Sequence, residues 1–75
     1  MKVYMIETET GEWTIDTFVD MDVVHGYIMT GRDVTVYEAE VPAKYLANYD
    51  DESDFDASMY EPDDFDWEYY DSYSA

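Results

Sequence analysis

The sequence predicts a small α+β domain, and three observations predict it. Several segments carry β-branched and aromatic residues at alternating positions, and one segment between them places its apolar residues at helical spacing. The length, 75 residues, leaves room for one small domain. A chain this short buries a modest share of its surface, so marginal stability is expected. No disulfide adds to it, because the chain has no cysteine.

The elements follow in order. "KVYMIE", Lys2 to Glu7, is β-branched and aromatic, and "EWTID" alternates Trp13 and Ile15 with Glu12, Thr14 and Asp16. The intervening "TETG" supplies a turn that contains a glycine, so the two segments are expected to form a hairpin. "DMDVVHGYIMTG" then opens on Asp20, a side chain suited to an N-cap. Val23, Val24, Tyr27 and Ile28 lie on one helical face, and Gly31 suits the residue just past the C-cap. Gly26 within that helix costs about 1 kcal/mol relative to Ala. "RDVTVYEAEV" reads as a strand, and Pro42 as the first residue of a short helix, "PAKYLANY". Residues 1–49 thus form an α/β head, and residues 50–75 an acidic, aromatic segment expected to pack on it. No internal repeat is read along the chain.

Charge narrows the function. Twenty Asp and Glu oppose Lys2, Arg32 and Lys44, for a net charge of −17. Self-repulsion of this size opposes compaction and keeps molecules apart. It excludes direct binding of nucleic acid or anionic membrane through a basic surface, and it favours a positively charged partner. The segment 50–75 has eleven of the acids, no base and seven aromatic rings. "MKVYMIETE" has too few apolar residues for a secretory signal, and the absence of cysteine fits a reducing cytosol.

In "DDFDWEYY" the acids Asp64, Asp66 and Glu68 alternate with Phe65, Trp67 and Tyr69. A period of two predicts a strand with rings on one face, completing the head's core, and carboxylates on the other. Carboxylates on one strand face recur about every 6.6–6.8 Å, a spacing comparable to that of phosphates winding around DNA. Asp50, Asp51, Glu52, Asp54 and Asp56 in "DDESDFD", with Glu38 and Glu40, extend such a row. Glu61, Asp63 and Asp71 belong to the same acidic stretch, and Tyr60, Tyr70 and Tyr73 are expected to anchor a partner.

Other chemistry is poorly supported. Asp50, Glu52, Asp54, Asp56, Ser58 and Glu61 match the ligand spacing of a calcium-binding EF-hand loop, but Phe55 stands where its glycine turn belongs and Pro62 discourages the exiting helix. His25, the one histidine, is expected to cap or pack, and the Met residues to fill core. A zinc site would need carboxylates for most of its ligands, and the isolated glycines form no phosphate loop. No catalytic residue, metal or cofactor is assigned, and an enzyme is not expected.

In its size, its overall charge, and the stretches "DDESDFD" and "EPDDFDWEYYD", the chain resembles the small acidic DNA-mimic proteins that phages make against host DNA-binding proteins. One member similar in size and acidity inhibits the nucleoid protein HU; others block defence or transcription proteins. The resemblance implies an inhibitor acting in the host cytoplasm, whose partner is a basic DNA-binding protein. The alternative from the residues alone is an acidic, aromatic module that docks on a basic partner unrelated to DNA.

Overall fold

A computed structural model describes all 75 residues. Four strands, β1 (Lys2–Thr8), β2 (Trp13–Asp16), β3 (Val34–Glu40) and β4 (Glu68–Tyr73), form one antiparallel sheet in the order β2-β1-β3-β4. Helix α1 spans Met21–Met29 and α2 spans Ala43–Leu46. The architecture is the α+β class expected.

Local signals set the first half. Gly11 takes φ +88° in the β1–β2 turn, a conformation costly for a side-chain-bearing residue. Thr8, buried at the turn's base, receives the Glu12 N–H on its hydroxyl at 3.2 Å. The Asp20 carboxylate accepts from the Asp22 N–H at 3.0 Å and caps α1. At the other end Gly31, at φ +82°, donates to the Ile28 carbonyl while Arg32 donates to that of Tyr27. That pair of bonds is the Schellman arrangement by which a glycine ends a helix. Pro42 stands one place earlier than expected, as the extended N-cap of α2, with Ala43 the first helical residue.

The core lies on both sides of the sheet. On one face Val3, Met5, Ile15, Ala39 and Val41 meet Phe55, Ala57 and Phe65 from the acidic segment. On the other, Ile6, Val34 and Val36 meet Val24 of α1, with Val23, Tyr27, Ile28 and Tyr73 packed around them. Adjacent Met5 and Ile6 are therefore both buried. The acidic segment is packed on the head, since β4 adds the sheet's outer strand and Phe55 and Phe65 fill one of its faces.

Two expectations about the tail are corrected. The stretch that alternates acid and ring is not a strand up to Trp67: Pro62–Asp64 is a 3-10 turn, and β4 begins only at Glu68. Proline has no N–H for a ladder and its fixed φ suits the first residue of a turn, so the backbone turns where strict alternation would need it straight. Phe65 is buried and Trp67 half-buried, but Tyr69 is 66% exposed. Within β4 a bulge at Tyr70 shifts the register, Tyr69 pairing with Tyr37 and Asp71 with Val36. His25 is exposed on α1, neither capping nor packing; Met5 fills core as expected, whereas Met29 and Met59 are exposed. No helix is long and apolar enough to cross a membrane.

Candidate acidic interface

Residues 51–65 form a repeat that the sequence reading missed. The three units are Asp51–Phe55, Asp56–Tyr60 and Glu61–Phe65. Each begins on an acid in extended backbone, passes through a three-residue 3-10 turn, and ends on an aromatic residue in extended backbone. In each unit the fourth N–H donates to the first carbonyl: Asp54 to Asp51, Met59 to Asp56, Asp64 to Glu61, at 3.0–3.2 Å. The fifth N–H donates to the second carbonyl, from Phe55, Tyr60 and Phe65, at 3.1–3.4 Å.

The acids belong to this backbone course. A short turn leaves its first N–H groups without partners, and a carboxylate at the N-cap supplies one. Asp51 accepts from the Ser53 N–H at 3.0 Å, and Asp56 from the Ser58 N–H at 3.0 Å and the Ser58 hydroxyl at 2.6 Å. In the third unit Asp64 reaches back to the Glu61 N–H at 2.8 Å. These aspartates stay exposed.

The rings supply the other half. Phe55 stacks on Tyr60 with centroids 5.2 Å apart, Tyr60 meets Phe65 at 5.7 Å, and Phe65 meets Trp67 at 5.3 Å. Tyr45 of α2 stacks on Tyr60 at 4.9 Å, and its hydroxyl donates to the Asp64 carbonyl at 2.8 Å. The Trp67 indole N–H donates to the Pro62 carbonyl at 2.8 Å. A period of five turns these rings toward the sheet, while all eleven acids of residues 50–75 are exposed.

The acids predicted for the site thus fall into three groups. Glu52, Asp54 and Asp63 are exposed carboxylates on the turns and Asp50 one just before the first, and none of the four accepts a hydrogen bond. Asp51, Asp56, Asp64 and Asp71 each accept a local backbone N–H, and Glu61 opens the third turn. Glu38, Glu40, Asp66 and Glu68 converge elsewhere, around Lys2 in a recess of about 140 Å³ at one end of the sheet. Of the predicted anchors, Tyr70 is 50% exposed with its ring 5.3 Å from Tyr4, but Tyr60 is half-buried in the ring ladder and Tyr73 half-buried beside α1. The positions matching EF-hand spacing are strung out from Asp50, before the first 3-10 turn, to Glu61 at the start of the third, and no group of three or more acids is placed to hold a metal ion.

Strand pairing explains the cluster at the recess. The register sets Glu38 opposite Glu68, like charges that oppose pairing, and Lys2 opposite Glu40. Lys2 Nζ lies 3.0 Å from Glu38 and 3.8 Å from Glu40, and the N-terminal ammonium lies 3.0 Å from Glu40. The hydrogen bond that Lys2 donates to the Glu38 carboxylate holds the Lys2 ammonium above the ordinary lysine range. The N-terminal ammonium holds the Glu40 carboxyl below the ordinary glutamate range. Because Glu40 is depressed when folded, its contribution to stability is present above the unfolded value and is lost as pH falls through the folded one. Glu40 is accordingly expected to titrate below the ordinary glutamate value, read from side-chain carboxyl shifts by NMR. Acetylating the N-terminus should return it toward the ordinary value; no change on acetylation would refute the pairing.

Few acids besides these have a cation at hand. Arg32 pairs with Glu12, and Lys44 lies 5.5 Å over the Tyr45 ring. None of the eleven acids of residues 50–75 is in a salt bridge. Neither a protein-family model, nor a curated protein, nor a solved structure matches this chain.

Proposed function

We propose that this chain is a DNA mimic, a non-enzymatic inhibitor that occupies the basic DNA-binding surface of a host protein and blocks its access to DNA. The observation that carries the reading is the arrangement of residues 50–75: eleven exposed carboxylates, none in a salt bridge, on a backbone held by buried rings and hydrogen-bonded turns. An acidic tail that serves solubility alone needs no such scaffold. Fixed charge, by contrast, meets a preformed basic surface without an ordering cost. The molecule's dimensions support the same reading. It measures 40 × 20 × 17 Å, and its long axis is close to one turn of B-DNA, about 34–36 Å. Cationic side chains that normally hold phosphates would meet carboxylates, and the long-range field would speed encounter.

The direct test is competition: the chain should displace a DNA duplex from a basic protein captured from bacterial lysate at low salt. Binding without displacement would refute mimicry. Affinity should also fall steeply between about 50 and 200 mM salt, because the attraction between exposed charges is screened. Isothermal titration across that range checks this, and an unchanged affinity would mean that apolar contacts dominate. A second reading, a module for a basic partner unrelated to DNA, is favoured by apolar surface that a phosphate row does not need: Met59 is 76% exposed and Tyr69 66%. The competition experiment separates the two.

A further inference from the structure

The edge of the sheet at β4 carries an inference beyond charge. β4 is an outer strand whose extensive neighbour is β3, and Glu68 through Ser72 are all exposed. On an antiparallel outer strand the backbone groups not used in the ladder point away from the sheet, a ready template for one more strand. Tyr69 and Tyr70 flank this edge, 66% and 50% exposed, and Glu68 and Asp71 stand beside them.

A second copy of the chain is a poor occupant. It would bring its own Glu68 and Asp71 and another −17 of charge to the same edge. The bulge at Tyr70 and the Asp71 carboxylate, which already accepts the Ser72 N–H at 2.8 Å, are devices that discourage like strands from pairing. Charge rejects a second copy but not a strand of opposite sign, and the bulge at Tyr70 confines any added ladder to the residues on either side of it. Lys or Arg at alternate positions would neutralise Glu68 and draw Asp71 off the Ser72 N–H.

We propose that β4 accepts an extended basic segment of the partner as a fifth strand of the sheet. Backbone hydrogen bonds would supply affinity and the flanking carboxylates and tyrosines the selectivity, as in other strand additions. The inference rests on the reading that the partner is basic; it adds a directional contact that a phosphate row does not offer.

Two blocked peptides of equal charge test it on the intact chain: an alternating Lys-Val hexapeptide, and a Lys-Pro hexapeptide whose prolines cannot donate to a ladder. The Lys-Val peptide is expected to slow amide exchange at the outward N–H groups of Glu68–Tyr73 by roughly tenfold at saturation. The Lys-Pro peptide should leave them unchanged. Equal effects of the two peptides, or protection absent from β4, would overturn the proposal. Displacement of DNA by a chain whose β4 is never protected would leave mimicry standing and sink strand addition. Protection of β4 by a chain that never competes with DNA would do the reverse.

Discussion

Phe65→Ala is expected to unfold the domain. Phe65 ends the third turn, is 7% exposed, and contacts Tyr45, Tyr60 and Trp67 by its ring. It also joins the core of Val3, Met5 and Ala39 on the sheet. Truncating a buried Phe to Ala costs about 3–5 kcal/mol, because transfer energy is lost and a cavity remains. A domain of this length has only roughly 0.05–0.15 kcal/mol of stability per residue, and repulsion among unpaired acids lowers it further. Phe18→Ala is the control, since Phe18 is 54% exposed and should shift the melting temperature by no more than a few degrees. Circular dichroism melts of both variants check this, with added salt as a third arm. Screening at about 1 M salt should restore part of the structure of the Phe65 variant. Should Phe65→Ala melt like Phe18→Ala, the rings do not hold the acidic segment down.

The first forty residues were legible because their signals are local. An Asp at the N-cap, a glycine past the C-cap, and strand-forming residues on either side of a glycine turn each act within a few residues, and each is found in place. The acidic segment was misread for a physical reason. Its period is five, belonging to neither helix nor strand, and it arises from an acid, a 3-10 turn and a ring repeated three times. Phe55, Tyr60 and Phe65 at equal spacing, each four residues after an acid, were the available signal. Local alternation from Asp64 to Tyr69 concealed it by joining the end of one repeat to the start of β4. The meeting of Glu38 and Glu40 with Asp66 and Glu68 depends on pairing between strands almost thirty residues apart in sequence, and the bulge at Tyr70 depends on that same pairing. Which aspartates cap backbone N–H groups and which stand free likewise follows from the turns once formed.

That last distinction decides how the charge should be tested. The variant expected to lose function while keeping its fold is Glu52→Gln, Asp54→Asn and Asp63→Asn combined. All three are exposed and accept no hydrogen bond, so shape is preserved and only charge is removed. A triple that included Asp64 would confuse fold with binding, because its carboxylate holds the Glu61 N–H. The matched control is Glu7→Gln, Glu9→Gln and Asp22→Asn, which removes the same charge from the first hairpin and from α1. A protein that grips DNA draws a salt-dependent share of its affinity from each phosphate, with a slope near −0.9 per contact. Removing three mimics of that contact should weaken DNA displacement about 10–100-fold at low salt and flatten the salt slope by up to roughly three. The control should lose much less and keep its slope. Both triples should melt at or above the parent temperature, since each relieves repulsion. Equal loss in the two triples would mean that net charge alone acts. Loss confined to the turn triple would mean that the rings hold the turns down so that these carboxylates stand where a basic surface expects phosphates.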